Sequence, residues 1–126
     1  MTIDGDKYRV CSNEQTFKMK YIKEVLSKKG DTVFCIETEE TIKGFPDVLC
    51  IEKTSGRAYF FEFKYAKSGR IKFQPTQPSF YKAHPELIIQ VVAYDNKKDF
   101  VHVFNVRSLF DKESQYKMNE IGEVCL

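Results

Sequence analysis

The pattern of apolar and polar positions divides the chain into two expected helices and five expected strands, with a short helical turn after them. Between Asn13 and Lys29, Phe17, Tyr21 and Val25 recur at four-residue spacing, with Met19, Ile22 and Leu26 alongside. That period predicts a helix with one apolar face. Ser12 or Asn13 can cap its start, and Gly30 can stop it behind Lys28 and Lys29. Apolar runs then predict strands over Thr32 to Glu37, Asp47 to Glu52 and Arg57 to Lys64, the last two joined by the turn signal Thr54-Ser55-Gly56. The third run, RAYFFEFK, is apolar on both faces, as in a central strand. Ala66 to Phe73 reads as a loop around Gly69. A second helix is expected from Pro75 to about His84, with proline in its first turn and Pro85 at its end. Leu87 to Tyr94 and Phe100 to Asn105 are two further strands around a polar DNKKD turn, and Val106 to Phe110 a short helical turn. The order is helix, three strands, helix, two strands: an α+β domain with a mixed sheet and a helix on each face.

Beyond Asp111 the pattern weakens. The division expected is a single domain over 1–110 and a polar, mobile C-terminal tail over 111–126. The whole chain has 126 residues and suits one core. Its 42% apolar and 30% charged content excludes a disordered chain. No run approaches a membrane span, and MTIDGDKYRV lacks the apolar centre of a secretory signal. Cys11, Cys35, Cys50 and Cys125 form no CxxC pair, and there are only two histidines, His84 and His102. A structural zinc site is not expected. Cys35 and Cys50 read as small buried hydrophobes in a reducing, cytoplasmic setting.

A net charge of +2 hides an uneven distribution. Lys64, Lys67, Arg70, Lys72 and Lys82 follow one another with no acid between them, and seven basic residues from Lys7 to Lys29 face only Glu14 and Glu24. Glu37, Glu39 and Glu40 lie between these basic segments. Basic stretches around an acidic centre suit a polyanion held beside a metal, although charge alone equally describes a solvated surface.

Chemistry concentrates where the two hairpin strands begin and end. Alternation puts Glu62 and Lys64 on one face of the third strand, and Asp47 on the same face as Leu49 and Ile51. The turn at 54–56 makes the strands antiparallel, so Asp47 approaches Glu62 at the open end. Two carboxylates meeting there repel unless a cation joins them. Magnesium accepts one or two carboxylates together with waters and phosphates. A lysine beside it can orient a water or stabilise developing charge. These are the parts for metal-assisted phosphodiester hydrolysis. A surface ion pair beside an unrelated turn aspartate is the plainer reading of the same residues.

Gly44-Phe45-Pro46-Asp47, then fourteen residues, then Glu62-Phe63-Lys64 resembles the motif of PD-(D/E)XK nucleases. The chain looks most like their small VRR-NUC and Holliday-junction-resolvase-like members. Glu14 matches the glutamate near the start of their first helix, and Gly69 with Gln77 matches the glycine loop and the glutamine of the second helix. Gln74 competes with Gln77 for that role, and nothing beyond Asn105 matches. The resemblance implies a restriction-endonuclease-like core, magnesium or manganese dependence and cleavage of DNA. It assigns Asp47, Glu62, Lys64 and Gln77 to catalysis, and Asp47, Glu62, Glu14 and the carbonyl of Phe63 to the metal. Lys67, Arg70 and Lys72, directly after the site, would grip phosphates.

A domain this small lacks room for a sequence-reading module. Branched DNA read by shape, such as a four-way junction, is therefore the expected substrate. Two symmetric cuts call for a homodimer. The alternative is a non-catalytic nucleic-acid-binding or interaction module retaining the fold. Glu37 is the alternative carboxylate if Glu14 points away. His84 and His102 read as structural, Lys18, Lys20 and Lys82 as weaker phosphate contacts, and Tyr65 and Tyr81 as aromatics that could stack on bases.

Overall fold

The computed structural model describes residues 1–36 and 43–126. Glu37, Glu39 and Glu40 lie outside the described residues. The elements run β1 (Thr2–Asp4), α1 (Glu14–Tyr21), β2 (Thr32–Cys35), β3 (Val48–Ile51), β4 (Ala58–Ala66), β5 (Arg70–Lys72), α2 (Thr76–Ala83), β6 (Ile89–Asp95), β7 (Phe100–Asn105) and β8 (Glu123–Cys125).

Asn13 caps α1: its side chain accepts from the Thr16 amide at 2.9 Å, while its own amide donates to the Thr16 hydroxyl. The helical path continues as a wide π turn over Ile22–Leu26 and a 3-10 turn over Ser27–Lys29. The change of pitch keeps Tyr21, Ile22 and Leu26 all buried. Gly30 ends it at φ 83°, a left-handed conformation that costs glycine nothing.

Six strands form one sheet in the order β1-β7-β6-β4-β3-β2. The β3–β4 and β2–β3 pairs are antiparallel, and β4 pairs parallel with β6. The α2 crossover makes that parallel pair possible. β4 is interior, as its two apolar faces require. One face buries Phe63, Val48, Val92 and Tyr94 against Tyr8, Phe17 and Tyr21. The other buries Ile89, Val91, Ala93 and Phe104 against Tyr81 of α2, Ile71, Phe73, Leu109, Tyr116 and Val124. This is the mixed-sheet α+β architecture expected.

Three local expectations change. Residues 111–126 are folded rather than mobile. Tyr116 stacks on Phe104 with ring centres 4.0 Å apart, and β8 pairs antiparallel with β5, burying Val124. The expected loop at 66–73 therefore contains a strand. Its partner lies some fifty residues away along the chain, beyond the reach of a local pattern. Cys35 is exposed on edge strand β2, whereas Cys50 is buried. β1 pairs with the far edge through Thr2↔His102 and Ile3↔Val101. With three residues it is too short to show a period.

Candidate nuclease site

The hairpin register sets Val48 against Phe61, so the next pair outward is Asp47 with Glu62. Asp47 precedes the first residue of β3, after the buried Pro46, and its Oδ2 accepts the Phe63 amide at 3.1 Å. That bond fixes the aspartate to the strand carrying the other two motif residues. Gly44 makes the approach possible. It sits at φ 85°, and a Cβ there would lie 2.1 Å from the Thr76 carbonyl oxygen, so the loop entering β3 packs backbone to backbone on α2.

Glu62 is 3% exposed, and its Oε1 has no hydrogen-bond partner among the described residues. Burial pushes its carboxyl well above the usual carboxylate range; Asp47 and Glu14 push the same way, and Lys64 partly opposes them. Lys64 is half-buried, with Nζ 3.8 Å from Glu62 Oε2. It donates to Gln77 Oε1 at 3.1 Å and lies 4.7 Å from the centre of the Phe73 ring. Gln77 Oε1 also accepts the Gln74 amide at 2.9 Å. Of the two glutamines, then, Gln77 uses its side chain on the lysine and Gln74 contributes backbone.

Glu14 opens α1 on the other side of the sheet end. Its carboxyl is raised by desolvation, lowered by Lys64, raised by Asp47 and lowered by Lys18. It is thus within electrostatic reach of the site. Yet no three His, Cys, Asp or Glu side chains among the described residues converge closely enough to hold an ion by themselves. Asp47 and Glu62 form a two-carboxylate site, and Glu14 does not complete a third.

Arg70 and Lys72 project from β5 on its exposed side, with Ile71 turned into the core, and Lys67 is exposed just before them. Arg70 Nη1 lies 3.8 Å from Glu123 Oε1 on β8. Lys20 is paired with Glu24 at 2.9 Å. Neither tyrosine offered for base stacking is available for it. Tyr81 is fully buried, and half-buried Tyr65 packs against the α1-side core with its hydroxyl donating to the Cys11 carbonyl. His84 caps the end of α2, and His102 is buried, with Nδ1 2.9 Å from the Tyr116 hydroxyl.

Sequence reasoning gives Tyr81 only a base-stacking role and Phe73 none, yet both lie beside the motif residues. The Tyr81 hydroxyl is buried without a hydrogen-bond partner among the described residues; burial raises its pKa, and the nearby charges of Glu62 and Asp47 add to that rise. It belongs to the surroundings of the carboxylate pair. Phe73 places its ring beneath the Lys64 ammonium, a cation–π arrangement. The four-residue step from Gln77 to Tyr81 on α2 was the available signal for the first.

No sequence-family model matches the chain, and a search of curated proteins returns no match. Solved structures do match. Hjc, a Holliday junction resolvase from the archaeal hyperthermophile Archaeoglobus fulgidus, is 16% identical, with a TM-score of 0.57 over 84% of this chain and 88% of that one. A VRR_NUC domain is 22% identical, with a TM-score of 0.52 over 81% of this chain and 99% of that one. At these identities the likeness establishes the fold alone: the chain shares the mixed-sheet α+β fold of that resolvase and of that VRR_NUC domain.

Proposed function

We propose that the protein is a divalent-metal-dependent endonuclease acting on branched DNA. The observation carrying this reading is the juxtaposition of half-buried Asp47 and buried Glu62 at one end of the sheet, with Lys64 held beside them by Gln77. A buried carboxylate with an orphaned oxygen beside a second carboxylate costs stability. A cation would remove that cost.

The donor set fits magnesium or manganese: two carboxylates, with the Phe63 carbonyl as a further oxygen and remaining positions left to water and phosphate. When bound, the metal would polarise the scissile phosphate and lower the pKa of a water. Lys64, fixed by Gln77 and Phe73, orients the attacking water and offsets charge building on phosphorus. Glu14 biases the field around this lysine. Lys67, Arg70 and Lys72 bind the backbone on one side of the site, contributing affinity without sequence information.

Symmetric cutting of a four-way junction would require a two-fold homodimer. Purified protein with labelled duplex, single strand, 5′ flap and four-way junction, in magnesium, manganese or EDTA and beside Glu62→Gln, tests the reading. Paired nicks in the junction, absent in EDTA and in the variant, support a resolvase. Cutting of flaps or ends alone removes the junction and keeps the nuclease. Binding without cutting in either metal favours a non-catalytic module.

A further inference from the structure

We infer that an aromatic groove along α2, beside the proposed cleavage site, stacks one unpaired nucleobase of the DNA being cut. This rests on the nuclease reading and deepens it, since it names the local substrate structure. The groove is open and mainly apolar, about 390 Å³ in volume, and lined by Lys43, Thr76, Ser79, Phe80 and His84 among others. Its floor is a ladder of rings. The Phe80 and His84 centroids are 4.4 Å apart at 36°, and Phe45 stands edge-on behind Phe80 at 5.2 Å and against Phe60 at 5.4 Å. Phe80 and His84 are both only half-buried.

The rings neighbour the site residues along the chain in three ways. Phe45 lies two residues before Asp47, and Phe60 two before Glu62 on the same strand face. On α2, Phe80 follows Gln77, the residue holding Lys64, by three positions, and His84 follows by seven. At 1.5 Å per residue those offsets are roughly 5 and 10 Å along the helix from Gln77, a few nucleotide steps at most. The basic strand β5 lies past the C-terminal end of β4, whereas Phe60 lies toward its start. Backbone gripped by β5 and crossing the carboxylate pair would next meet the ring ladder.

Charge and hydrogen bonding favour a nucleotide over another apolar guest. Lys43 stands at the groove with an ammonium for a flanking phosphate. The Ser79 hydroxyl donates to the Pro75 carbonyl at 3.1 Å, leaving its lone pairs to accept from a base edge. Among the described residues, exposed Glu86 lies 3.1 Å from His84 Nδ1, at the ring's edge and not its face. Paired bases cannot reach such rings. A base freed at a branch point, bulge or flap can, and stacking tolerates any base.

The test is binding in EDTA, read by fluorescence polarisation. Three labelled oligonucleotide complexes are compared: a paired duplex, the duplex with one unpaired nucleotide, and the same with an abasic residue there. The protein should bind the unpaired base on the order of tenfold more tightly than the abasic site. His84→Ala and Phe80→Leu should each shrink that ratio toward one. His84 is surface-placed, so its variant serves if Phe80→Leu disturbs the fold. Equal affinity for base and abasic site, or a ratio both variants leave intact, overturns the inference. The nuclease reading fails differently. Base preference without cleavage by metal-loaded protein removes that reading and keeps the groove. Metal-dependent cutting without base preference does the reverse.

Discussion

Replacing Glu62 by Gln should make the metal-free protein more stable while removing its response to metal. Asp47 and Glu14 add negative field at Glu62, and Lys64 opposes them. Ionised, Glu62 puts a charge beside two further carboxylates, on a side chain 3% exposed whose Oε1 has no hydrogen-bond partner among the described residues. An unsatisfied buried group costs about 1–3 kcal/mol. Gln keeps the shape and the unpartnered oxygen, so the relief is the extra cost of burying a charge over a neutral group; it also removes the 3.8 Å attraction to Lys64. Lys64 retains Gln77 and the field of Asp47 and Glu14, so the loss is smaller than the relief. A net gain of about 1–2 kcal/mol is expected, which for a domain of this size is roughly 3–8 °C in melting temperature.

The pH dependence fixes the sign. A carboxyl raised by the fold stays protonated where the unfolded chain has already ionised. The unfolded state then binds fewer protons, and stability falls as pH rises from the ordinary carboxylate range through the folded pKa. The advantage of Glu62→Gln should therefore widen toward pH 8 in EDTA. With magnesium at about a hundred times its Kd, wild type alone should gain roughly 2.7 kcal/mol. Differential scanning fluorimetry in EDTA and in titrated metal gives both readings. A variant equal to or less stable than wild type in EDTA at pH 8 would refute the buried-charge argument. Equal metal stabilisation of both proteins would remove Glu62 from the metal.

Gln77→Ala should reduce cleavage on the order of 100-fold through misplacement of Lys64, with little change in DNA affinity; single-turnover kinetics beside binding curves check this. Should affinity fall in step with the rate, Gln77 is a binding residue instead. Val124→Ala, at a fully buried position of β8, should cost roughly 2 kcal/mol in urea unfolding, whereas a loose tail would tolerate it without effect. It should also weaken DNA binding, because β8 holds the strand carrying Arg70 and Lys72. His102 is buried, which lowers its pKa. The unfolded chain takes up the proton near pH 6.5 while the folded one resists, so stability should fall as pH drops below that value. Comparing urea midpoints between pH 7 and 5 with those of His102→Phe isolates the effect, and parallel curves would exclude it.

Much of this architecture lies in local order along the chain. The 54–56 turn fixes the antiparallel register, and register alone brings Asp47 to Glu62, because antiparallel pairing converts a separation in sequence into a position in space. The apolar faces of RAYFFEFK place β4 inside the sheet for the same local reason, and Asn13 and Gly30 bound the first helix through their own backbone and side-chain chemistry. What tertiary structure decided depends on partners distant in sequence. β8 and β5 are separately too short to show a period and become strands only on meeting. Cys35 and Cys50 both sit in apolar runs, and edge or interior position alone separates them. Phe73 under Lys64, Tyr81 behind Glu62 and the Phe45–Phe80–His84 ladder arise where α2 docks on the sheet. Glu62 needs both levels. Its place at the strand end is written in the sequence, but its isolation from water exists only once α2 covers that face, because desolvation belongs to the packed molecule and not to the residue.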